Sequence, residues 1–387
     1  QQALAGQPDN AEMHRYLGAL RRIRGNLAGA EAALLQAISL NPALGEAYDN
    51  LAGVLLDQGR NEAAESRFAQ ALACNPGDNR AHSNLLMCRN YRDGDADALF
   101  QAHRDWAEQH VAAIAALPAA APRPAHRRLR IGYVSGDFRQ HSVAYFFEPL
   151  LTGRNRHRFE VFCYASLQNP DETTARLQTG SDHWRWVAAI DDAQLAAQIR
   201  RDEIDILVDL SGHTAGNRLP AFQYRPAPVQ VTWLGYPNTT GMTAIDYRLT
   251  DAMADPPGAE ALWTESLIHL DTGFLCYAPP AGAPEITPLP ALSTGHVTFG
   301  SFNNLRKVTP AVIEVWAQIL HAVPGARLML KARSFADPAT RDRFNSAFAA
   351  HGIAADRLAL RNTIASTSEH LGVYADIDIA LDPFPYN

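Results

Sequence analysis

The sequence predicts an α-helical repeat followed by two α/β domains, each built on a parallel, doubly wound sheet. Three observations indicate this architecture. A pattern of small and apolar residues recurs every 34 residues near the beginning of the chain. Short apolar strands then alternate with helical stretches, which is typical of parallel sheets. A stretch rich in Pro and Ala at residues 279–290 interrupts the alternation, so we expect one domain before it and one after it.

The composition is that of a globular protein of several domains. The 387 residues are 47% hydrophobic and 19% charged, and the formal net charge of −7 argues against nucleic acid as the main ligand. The four cysteines are scattered and form no CxxC pair, so neither a disulfide framework nor a zinc site is indicated. No apolar run approaches the ~20 residues of a membrane span. We therefore expect a cytoplasmic protein without a membrane span.

Residues 1–117 contain the repeat. The dipeptide Asn-Pro at residues 41–42 recurs at residues 75–76, and Gly25 recurs as Gly59. The pattern resembles the tetratricopeptide repeat, in which small residues let paired helices approach closely and a proline ends the second helix. A third copy begins and then fades, and a further helix connects it to the next domain. Such repeats offer a groove for a protein or peptide; a purely structural support is the alternative.

A linker at residues 118–128 separates the repeats from the first α/β domain, residues 129–290. This domain begins with the apolar strand 129–134, which a polar turn and a helical run follow. Asp137 and His141 lie between that strand and that helix, and both side chains can exchange protons if their surroundings tune them. A turn aspartate and a helix-capping histidine are the simpler interpretation of the same residues.

Two further apolar strands of this domain, residues 204–210 and 229–234, also end in small polar loops. The first loop contains His213 and the second is glycine- and threonine-rich. Because the carboxyl ends of parallel strands meet at one edge of a sheet, we expect these loops to converge with the first on a ligand site. No GxGxxG, Walker A or GxSxG motif occurs in a suitable context, which argues against standard NAD binding, ATP hydrolysis and serine-hydrolase chemistry.

Residues 291–387 repeat the alternation and form the second predicted α/β domain. Its first strand, residues 296–302, leads into a loop with Asn304 and Lys307 just before a helix. A lysine and amides near a helix start suit an anion such as a phosphate. A solvated lysine in a polar turn fits these residues equally well. The chain starts without Met inside a helical pattern and stops after a strand, so we expect further residues at both ends.

Four motifs make a resemblance specific. The repeats, followed by IGYVSGDFRQH, RPAPVQVTWLGYPNTTG, SFNNLRKVTP and LDPFPYN, resemble the O-linked N-acetylglucosaminyltransferases over residues 11–387. The short second linker is similar to that of the bacterial members. The resemblance implies two Rossmann-like lobes of the GT-B type, with the repeats packed against the first. It also implies inverting transfer of N-acetylglucosamine from UDP-N-acetylglucosamine to Ser/Thr hydroxyls of proteins, without metal or other cofactor.

The resemblance also implies roles for single residues. His141 matches the family's active-site histidine beside Asp137, and His110 matches a histidine of the preceding helix; any of the three could be the general base. Lys307 matches the lysine that pairs with the diphosphate, in place of Mg²⁺. The predicted substrate-binding residues, among them three from the sugar loop and one from the uracil pocket, are Gln140, His213, Leu234, Gly235, Pro237, Asn304 and His370.

Several positions depart from the family pattern. Gln140, Ser142 and Val143 replace Asn, Pro and Thr of the animal enzymes, and Asn304 replaces Gln. The family continues after LDPFPYN with a Gly-Thr-rich loop and a helix that holds the diphosphate. Since neither occurs here, we expect the second lobe to be incomplete in this chain.

Two other functions remain open at this point. The same extended family includes protein O-fucosyltransferases that use GDP-fucose and N-linked glucosyltransferases, and the base pocket around Ala365 and His370 would decide between uracil and guanine. A repeat-based binding protein with degenerate lobes is the other alternative. The joint presence of Asp137, His141 and Lys307 counts against degeneration.

Overall fold

The computed structural model describes residues 9–92, 94–119, 127–280, 282–362 and 366–386. The chain divides into two compact units. One unit joins most of the repeats to the second α/β domain and comprises Gln1–Ala81, Cys88–Asp93 and Ala281–Asn387. The other joins the end of the repeats to the first α/β domain and comprises His82–Met87 and Gly94–Pro280. Most of the predicted linker at residues 118–128, and Ala365, lie outside the described residues.

The helical region follows the predicted repeat. Its helices are α1 (Ala11–Ile23), α2 (Leu27–Leu40), α3 (Gly45–Asp57), α4 (Asn61–Cys74), α5 (Asn79–Arg89) and α6 (Ala96–His110). Asn10 and Asn26 cap α1 and α2 by accepting backbone N–H bonds, as N-cap residues do. Both second helices end at the Asn that precedes the repeat proline. Buried alanines such as Ala30 and Ala64 let the paired helices approach, so the predicted repeat is confirmed.

The first α/β domain contains a parallel sheet of seven strands among the described residues, in the order β3-β2-β1-β4-β5-β6-β7. The strands are β1 (Leu129–Ser135), β2 (Phe159–Ala165), β3 (His183–Trp186), β4 (Ile206–Asp209), β5 (Val229–Thr232), β6 (Tyr247–Thr250) and β7 (Ser266–His269). Its helices are α7 (Ser142–Gly153), α8 (Glu172–Gly180), α9 (Asp192–Arg201) and α10 (Leu219–Gln223). Trp106 of α6 lies in the same core as Phe162 and Leu219, so the connecting helix belongs to this domain.

The second α/β domain has a smaller parallel sheet in the order β10-β9-β8-β11. The strands are β8 (Thr298–Ser301), β9 (Arg327–Lys331), β10 (Leu358–Arg361) and β11 (Ile379–Ala380). The helices are α11 (Ala291–Thr294), α12 (Pro310–Ala322), α13 (Pro338–Ala350) and α14 (Thr367–Gly372). Trp316, Phe335 and Phe348 form part of one buried core beneath the sheet and its helices.

The repeats contact the domains differently from the expectation. α6 packs into the first α/β domain, as expected, but α1 to α4 contact the second. The Ala28 amide donates to Asp337 Oδ1 at 3.3 Å, and the Asn61 side chain donates to the Arg306 carbonyl at 2.6 Å. The pattern of apolar residues fixes which face of a helix is buried, but not what covers it. In the described ranges, every helix is too short or too polar to cross a membrane.

Candidate active site

Asp137 and His141 follow β1, as the sequence predicts, and lie side by side. His141 is the N-cap of α7, and its Nδ1 accepts the Val143 amide at 3.3 Å. The same Nδ1 lies 3.8 Å from Asp137 Oδ2. Because an imidazole nitrogen that accepts a proton cannot donate one, this arrangement assigns the ring proton to Nε2. Burial lowers the pKa of His141 below its usual 6.5, and Arg139 adds to this effect while Asp137 opposes it, so the ring is neutral at pH 7.

Neighbouring residues fix the loop that carries this pair. The Asp137 amide donates to Ser135 Oγ at 2.9 Å, and the Gln140 amide donates to Asp171 Oδ2 at 2.7 Å. Asp171 caps α8 at the same time. The Gln140 side chain is exposed. The loop is therefore anchored through its backbone, and the predicted substrate-binding side chain of Gln140 remains accessible.

His213, in the loop after β4, is completely buried. Its Nε2 lies 2.9 Å from the Thr240 carbonyl and must donate to it, so Nδ1 accepts from Ser83 Oγ at 3.1 Å. Burial lowers the pKa of His213 well below 6.5, and nearby His103 adds to this. Both ring nitrogens are thus engaged within the protein. The predicted contact of His213 with a substrate is corrected: this residue holds two segments of the domain together.

Three other histidines of the helical region surround His213, and together we call these four residues the histidine cluster. His103 Nδ1 donates to the Leu99 carbonyl at 2.7 Å, and its Nε2 accepts from the Tyr236 hydroxyl at 2.8 Å. His110 Nε2 and His82 Nδ1 lie 3.0 Å apart and share a hydrogen bond. The sequence prediction missed His82 and His103. The spacing of seven residues between His103 and His110, which places them on one helix face, was an available signal.

The loop after β5 carries the predicted sugar-contacting residues and has a strained backbone. Leu234 has φ +72°, a conformation that residues other than glycine rarely adopt. A Cβ at Gly235 would overlap the Leu210 carbonyl oxygen, so only glycine fits there. Tyr236 is buried, whereas Leu234, Gly235 and Pro237 remain partly exposed. Strain of this kind is found where the surrounding structure holds a functional loop in place.

Buried polar groups supply that support. Arg248 Nη1 donates to the Tyr236 carbonyl at 3.1 Å, and Glu265 Oε1 accepts the Thr240 amide at 2.8 Å. Asp209, at the end of β4, accepts the amides of residues 211 and 212 at 3.0 and 2.9 Å. Burial raises the pKa of Asp209 to about 6, although these hydrogen bonds oppose the rise. The loops after β4 and β5 are therefore fixed from beneath by charged groups.

The three loops of the first α/β domain converge, as predicted. Ser211 Oγ lies 3.5 Å from the Gly136 amide, which connects the loop after β1 to the loop after β4. A Cβ at Gly212 would overlap the Tyr236 ring, so the loops after β4 and β5 are in direct contact. His110 pairs with His82 and packs on Trp106, whose ring in turn packs on His213.

In the second α/β domain, Lys307 lies in a short 3₁₀ turn, Leu305–Lys307, between β8 and α12. We call this the Lys307 turn. The Lys307 ammonium lies 4.1 Å from the centroid of the Tyr386 ring. Burial lowers the pKa of Lys307 to about 8; Arg306 adds to this and Asp382 opposes it. Asn304 precedes the turn and its side chain is exposed. The predicted lysine thus stands half-buried at the carboxyl end of a parallel strand.

His370 lies on α14 and is held by a second lysine that the sequence prediction missed. Lys331, at the end of β9, is only 1% exposed. Its ammonium donates to His370 Nδ1 at 2.7 Å and to the His370 carbonyl at 3.1 Å. His370 Nδ1 is therefore an acceptor, and Nε2 carries the proton. Burial lowers the pKa of Lys331 to about 8. The chain contains only two lysines, Lys307 and Lys331. Lys307 follows β8 and Lys331 is the last residue of β9, so both lie at the carboxyl edge of the same sheet.

Two parallel α/β domains in series, with polar loops at the strand ends, are the architecture of GT-B glycosyltransferases, and here a helical repeat precedes them. The model of glycosyl transferase family 41 matches residues 107–277. The O-GlcNAc transferase of Thermobaculum terrenum, solved as a lysine-to-methionine variant, is 41% identical, with a TM-score of 0.95 over 100% of this chain and 74% of that one. The chain belongs to glycosyltransferase family 41.

Curated plant proteins are similar as well. A protein of Solanum lycopersicum named probable UDP-N-acetylglucosamine–peptide N-acetylglucosaminyltransferase SPINDLY is 44% identical over 307 residues, which are 78% of this chain and 33% of that protein. The protein of the same name in Arabidopsis thaliana is 43% identical over 308 residues, which are 78% of this chain and 34% of that protein. The chain thus spans about a third of the length of these relatives.

Proposed function

We propose that this chain is part of a UDP-N-acetylglucosamine:protein O-glycosyltransferase and comprises repeats that bind the acceptor protein together with the catalytic domains. It would transfer N-acetylglucosamine with inversion to Ser/Thr hydroxyls of proteins, without a metal ion. The names of the relatives at 43–44% identity and of the solved transferase at 41% support this donor and this acceptor class. The observation that carries the proposal is the half-buried Lys307 ammonium at the carboxyl end of β8.

The reaction needs two kinds of assistance. The acceptor oxygen forms a bond to the anomeric carbon while the bond from that carbon to the UDP oxygen breaks, and the electron pair leaves with the diphosphate. The hydroxyl proton must pass to a base. A cation beside the diphosphate stabilises its growing negative charge. In this proposal Lys307 supplies that cation and takes the place that a divalent ion has in other transferases.

In this proposal His141 receives the proton with the help of Asp137, because the imidazole can carry its proton on either nitrogen and lies 3.8 Å from the Asp137 carboxylate. In the arrangement described above, His141 Nε2 carries a proton and would donate to a ligand oxygen. In the other tautomer of the neutral ring, Nδ1 carries the proton and donates a hydrogen bond towards the Asp137 carboxylate, now 3.8 Å away, so that Nε2 is unprotonated and can accept the proton of the acceptor hydroxyl. His110 supports this role less well, because its Nε2 is already engaged with His82.

The remaining predicted residues support binding rather than bond changes. Leu234, Gly235 and Pro237 offer a rigid, partly exposed loop against which a sugar ring can pack. His370, held with its proton on Nε2, offers a donor to a carbonyl oxygen of the nucleobase. Gln140 and Asn304 offer exposed amide side chains. The groove of the helical repeats is the proposed binding surface for the acceptor polypeptide.

The first test is calorimetric binding of UDP and of GDP to the full-length protein, with and without EDTA. We expect UDP to bind equally well in both conditions and more tightly than GDP. A preference for GDP would contradict the proposed donor and favour a fucosyltransferase, and loss of binding in EDTA would contradict metal independence. Binding of neither nucleotide would favour a protein-binding scaffold.

The two lysines allow a second test that needs no acceptor. Near pH 8, Lys307 has a substantial unprotonated fraction and should react with an acylating reagent, whereas Lys331 is shielded. We expect saturating UDP to slow acylation of Lys307, measured by peptide mass spectrometry, and to leave the other amines of the protein unaffected. Equal labelling with and without UDP would contradict the assignment of Lys307 to the diphosphate.

A further inference from the structure

The Lys307 turn is held by the repeat helices α3 and α4, not only by its own domain. Asn61, the first residue of α4, donates from Nδ2 to the Arg306 carbonyl at 2.6 Å. Gly59, between the two helices, has φ +72°, and a Cβ there would lie 2.9 Å from the Leu305 carbonyl oxygen. The backbone of the turn therefore contacts the repeat at Gly59. Glycine is favoured there because its φ is positive and because a side chain would collide with the turn.

Asp57, the last residue of α3, connects three segments through one carboxylate. Its Oδ1 accepts from Arg306 Nη2 at 2.8 Å, and its Oδ2 accepts from Arg22 Nε of α1 at 2.6 Å. The Asp57 side chain is 21% exposed, so the two ion pairs are largely shielded from water and their geometry is better defined than that of a surface pair. Two successive repeats are thereby joined to the Lys307 turn.

Aromatic rings complete the surroundings of the ammonium. Tyr386 lies beneath Lys307 Nζ and stacks on Tyr91, with the two ring centroids 5.8 Å apart. The Arg306 guanidinium lies 5.7 Å from the centroid of the Tyr91 ring. Arg306 thus extends towards Tyr91 and Asp57, while Lys307 lies on the face of Tyr386. The two cations of the turn are separated by their partners.

We propose that Asp57 is a positioning residue for Lys307. By fixing Arg306 on the repeats, it leaves Lys307 as the cation of this turn that pairs with the diphosphate of the donor. The inference rests on the proposed function, in which Lys307 binds that diphosphate. It gives the repeats a role in donor binding in addition to their proposed role in acceptor binding.

The charge arrangement gives this role a signature in pH dependence. The titratable and charged groups around Lys307 are Arg306 of its own turn, Asp382 after β11, the phenols of Tyr386 and Tyr91, and Asp57 of the repeat. Without the Asp57 charge, Arg306 is uncompensated and lowers the pKa of Lys307 further. Without the Arg306 charge, that pKa rises. A support without electrostatic influence on Lys307 would produce neither shift.

The experiment measures the Kd of UDP for the full-length protein from about pH 6 to about pH 10, a range that includes the Lys307 transition. Asp57→Asn should weaken binding on the order of tenfold, as when one hydrogen bond to a charged group is lost, and move the alkaline loss of binding to lower pH. Arg306→Met should also weaken binding but move that loss to higher pH. Asp49→Asn is the matched control, because Asp49 lies on the same helix and pairs with Arg80 within the repeats; its Kd should equal that of the wild type.

If folded Asp57→Asn and Arg306→Met bind UDP with the affinity and pH profile of the wild type, the inference is wrong and the proposed function stands. If Asp57→Asn does not fold, Arg306→Met decides, because it removes the other half of the same ion pair: weaker UDP binding whose alkaline loss moves to higher pH supports the inference, and the affinity and pH profile of the wild type overturn it. A wild-type protein that binds neither UDP nor inorganic pyrophosphate would overturn both this inference and the proposed function.

Discussion

The two α/β domains prepare their strand-end loops with opposite chemistry. In the first, the loops are held by neutral imidazoles and buried carboxylates, among them His213 and Asp209. In the second, the corresponding edge carries Lys307 and Lys331, whose pKa values burial lowers to about 8. Groups suited to move a proton near neutral pH therefore lie in one domain, and groups suited to hold an anion lie in the other.

Both domains rely on the helical region, but on different parts of it. α5 supplies Ser83, which donates to His213, and α6 supplies His103, which accepts from the Tyr236 hydroxyl; both contacts fix loops of the first domain. α3 and α4 supply the carboxylate and the amide that fix the Lys307 turn. The repeat helices are therefore part of the structure that holds the strand-end loops of both domains, in addition to any role in recognising a partner.

The largest expected effect on turnover comes from removing the Lys307 cation of the second domain. Lys307→Met should reduce turnover by about 10²-fold or more, because the charge growing on the leaving diphosphate loses its partner. Steady-state transfer to an acceptor peptide by the full-length protein measures this. Arg341→Met, at an exposed position of α13 in the same domain, is the control and should retain full activity. Near-normal turnover of folded Lys307→Met would contradict the assignment of anion binding to the second domain.

A loss of about 10²-fold in transfer is also expected for His141→Ala, with UDP still bound, because a proton-transfer group of the first domain is removed. His141→Asn sharpens this test, since asparagine is a good N-cap and preserves the start of α7. If His141→Asn transfers sugar at the wild-type rate, the histidine serves only as a cap. Because the pKa of His141 lies below 6.5, wild-type transfer should fall on acidification only below that pH.

The histidine cluster should make the first domain sensitive to acid. His213 stays neutral in the folded state while the unfolded chain binds a proton below about pH 6.5, so its contribution to stability is complete above that pH and is lost as pH falls. The slope is about 1.4 kcal/mol per pH unit for one such group. His213→Gln should lower the slope measured by denaturant unfolding, whereas the exposed His157→Gln should not. Five of the six tryptophans lie in this domain, so tryptophan fluorescence reports mainly its unfolding.

The smallest effect concerns the strained backbone of Leu234. Leu234→Gly removes a partly buried side chain but also relieves the left-handed conformation, so the two changes should offset each other to within about 1 kcal/mol. Leu234→Ala loses the same packing and keeps the strain, and should therefore be about 1 kcal/mol less stable than the glycine variant. Fluorescence-monitored unfolding compares the two. Equal stabilities would show that this position stores no backbone strain.

Strong apolar runs made much of the fold predictable. The predicted first strand of the second domain, residues 296–302, is present as β8, with ends within about two residues of those expected. In the first domain, the predicted strands 129–134, 204–210 and 229–234 are present as β1, β4 and β5, but β3, β6 and β7 were missed. These three strands carry charged or exposed positions, such as Trp186 in β3, and lack the apolar run that identifies a buried strand.

The candidate site was predictable only where a motif marked it. Asp137, His141 and Lys307 stand in loops between a strand and a helix, and the structure places them there. His103 and Lys331 were missed, because a helical histidine and a lysine at the end of a strand have no local signal that separates them from ordinary residues. Their partners, Tyr236 and His370, are distant in sequence. The full burial of His213 could not be predicted either, because its hydrogen-bond partners Ser83 and Thr240 are also distant in sequence.

The contacts of consecutive repeats with consecutive strand-end loops have an evolutionary consequence. The turn between α1 and α2 meets the loop after β9, where Arg333 donates to the Ile23 carbonyl, and the turn between α3 and α4 meets the loop after β8. β8 and β9 are neighbours in the sheet. Two repeats that follow one another in the sequence therefore contact the loops of two strands that lie side by side. Deleting or duplicating one of these two repeats would pair each turn with the wrong loop. We therefore expect these two repeats to be inherited together with the second domain as one unit, and repeats that do not contact these loops to vary in number.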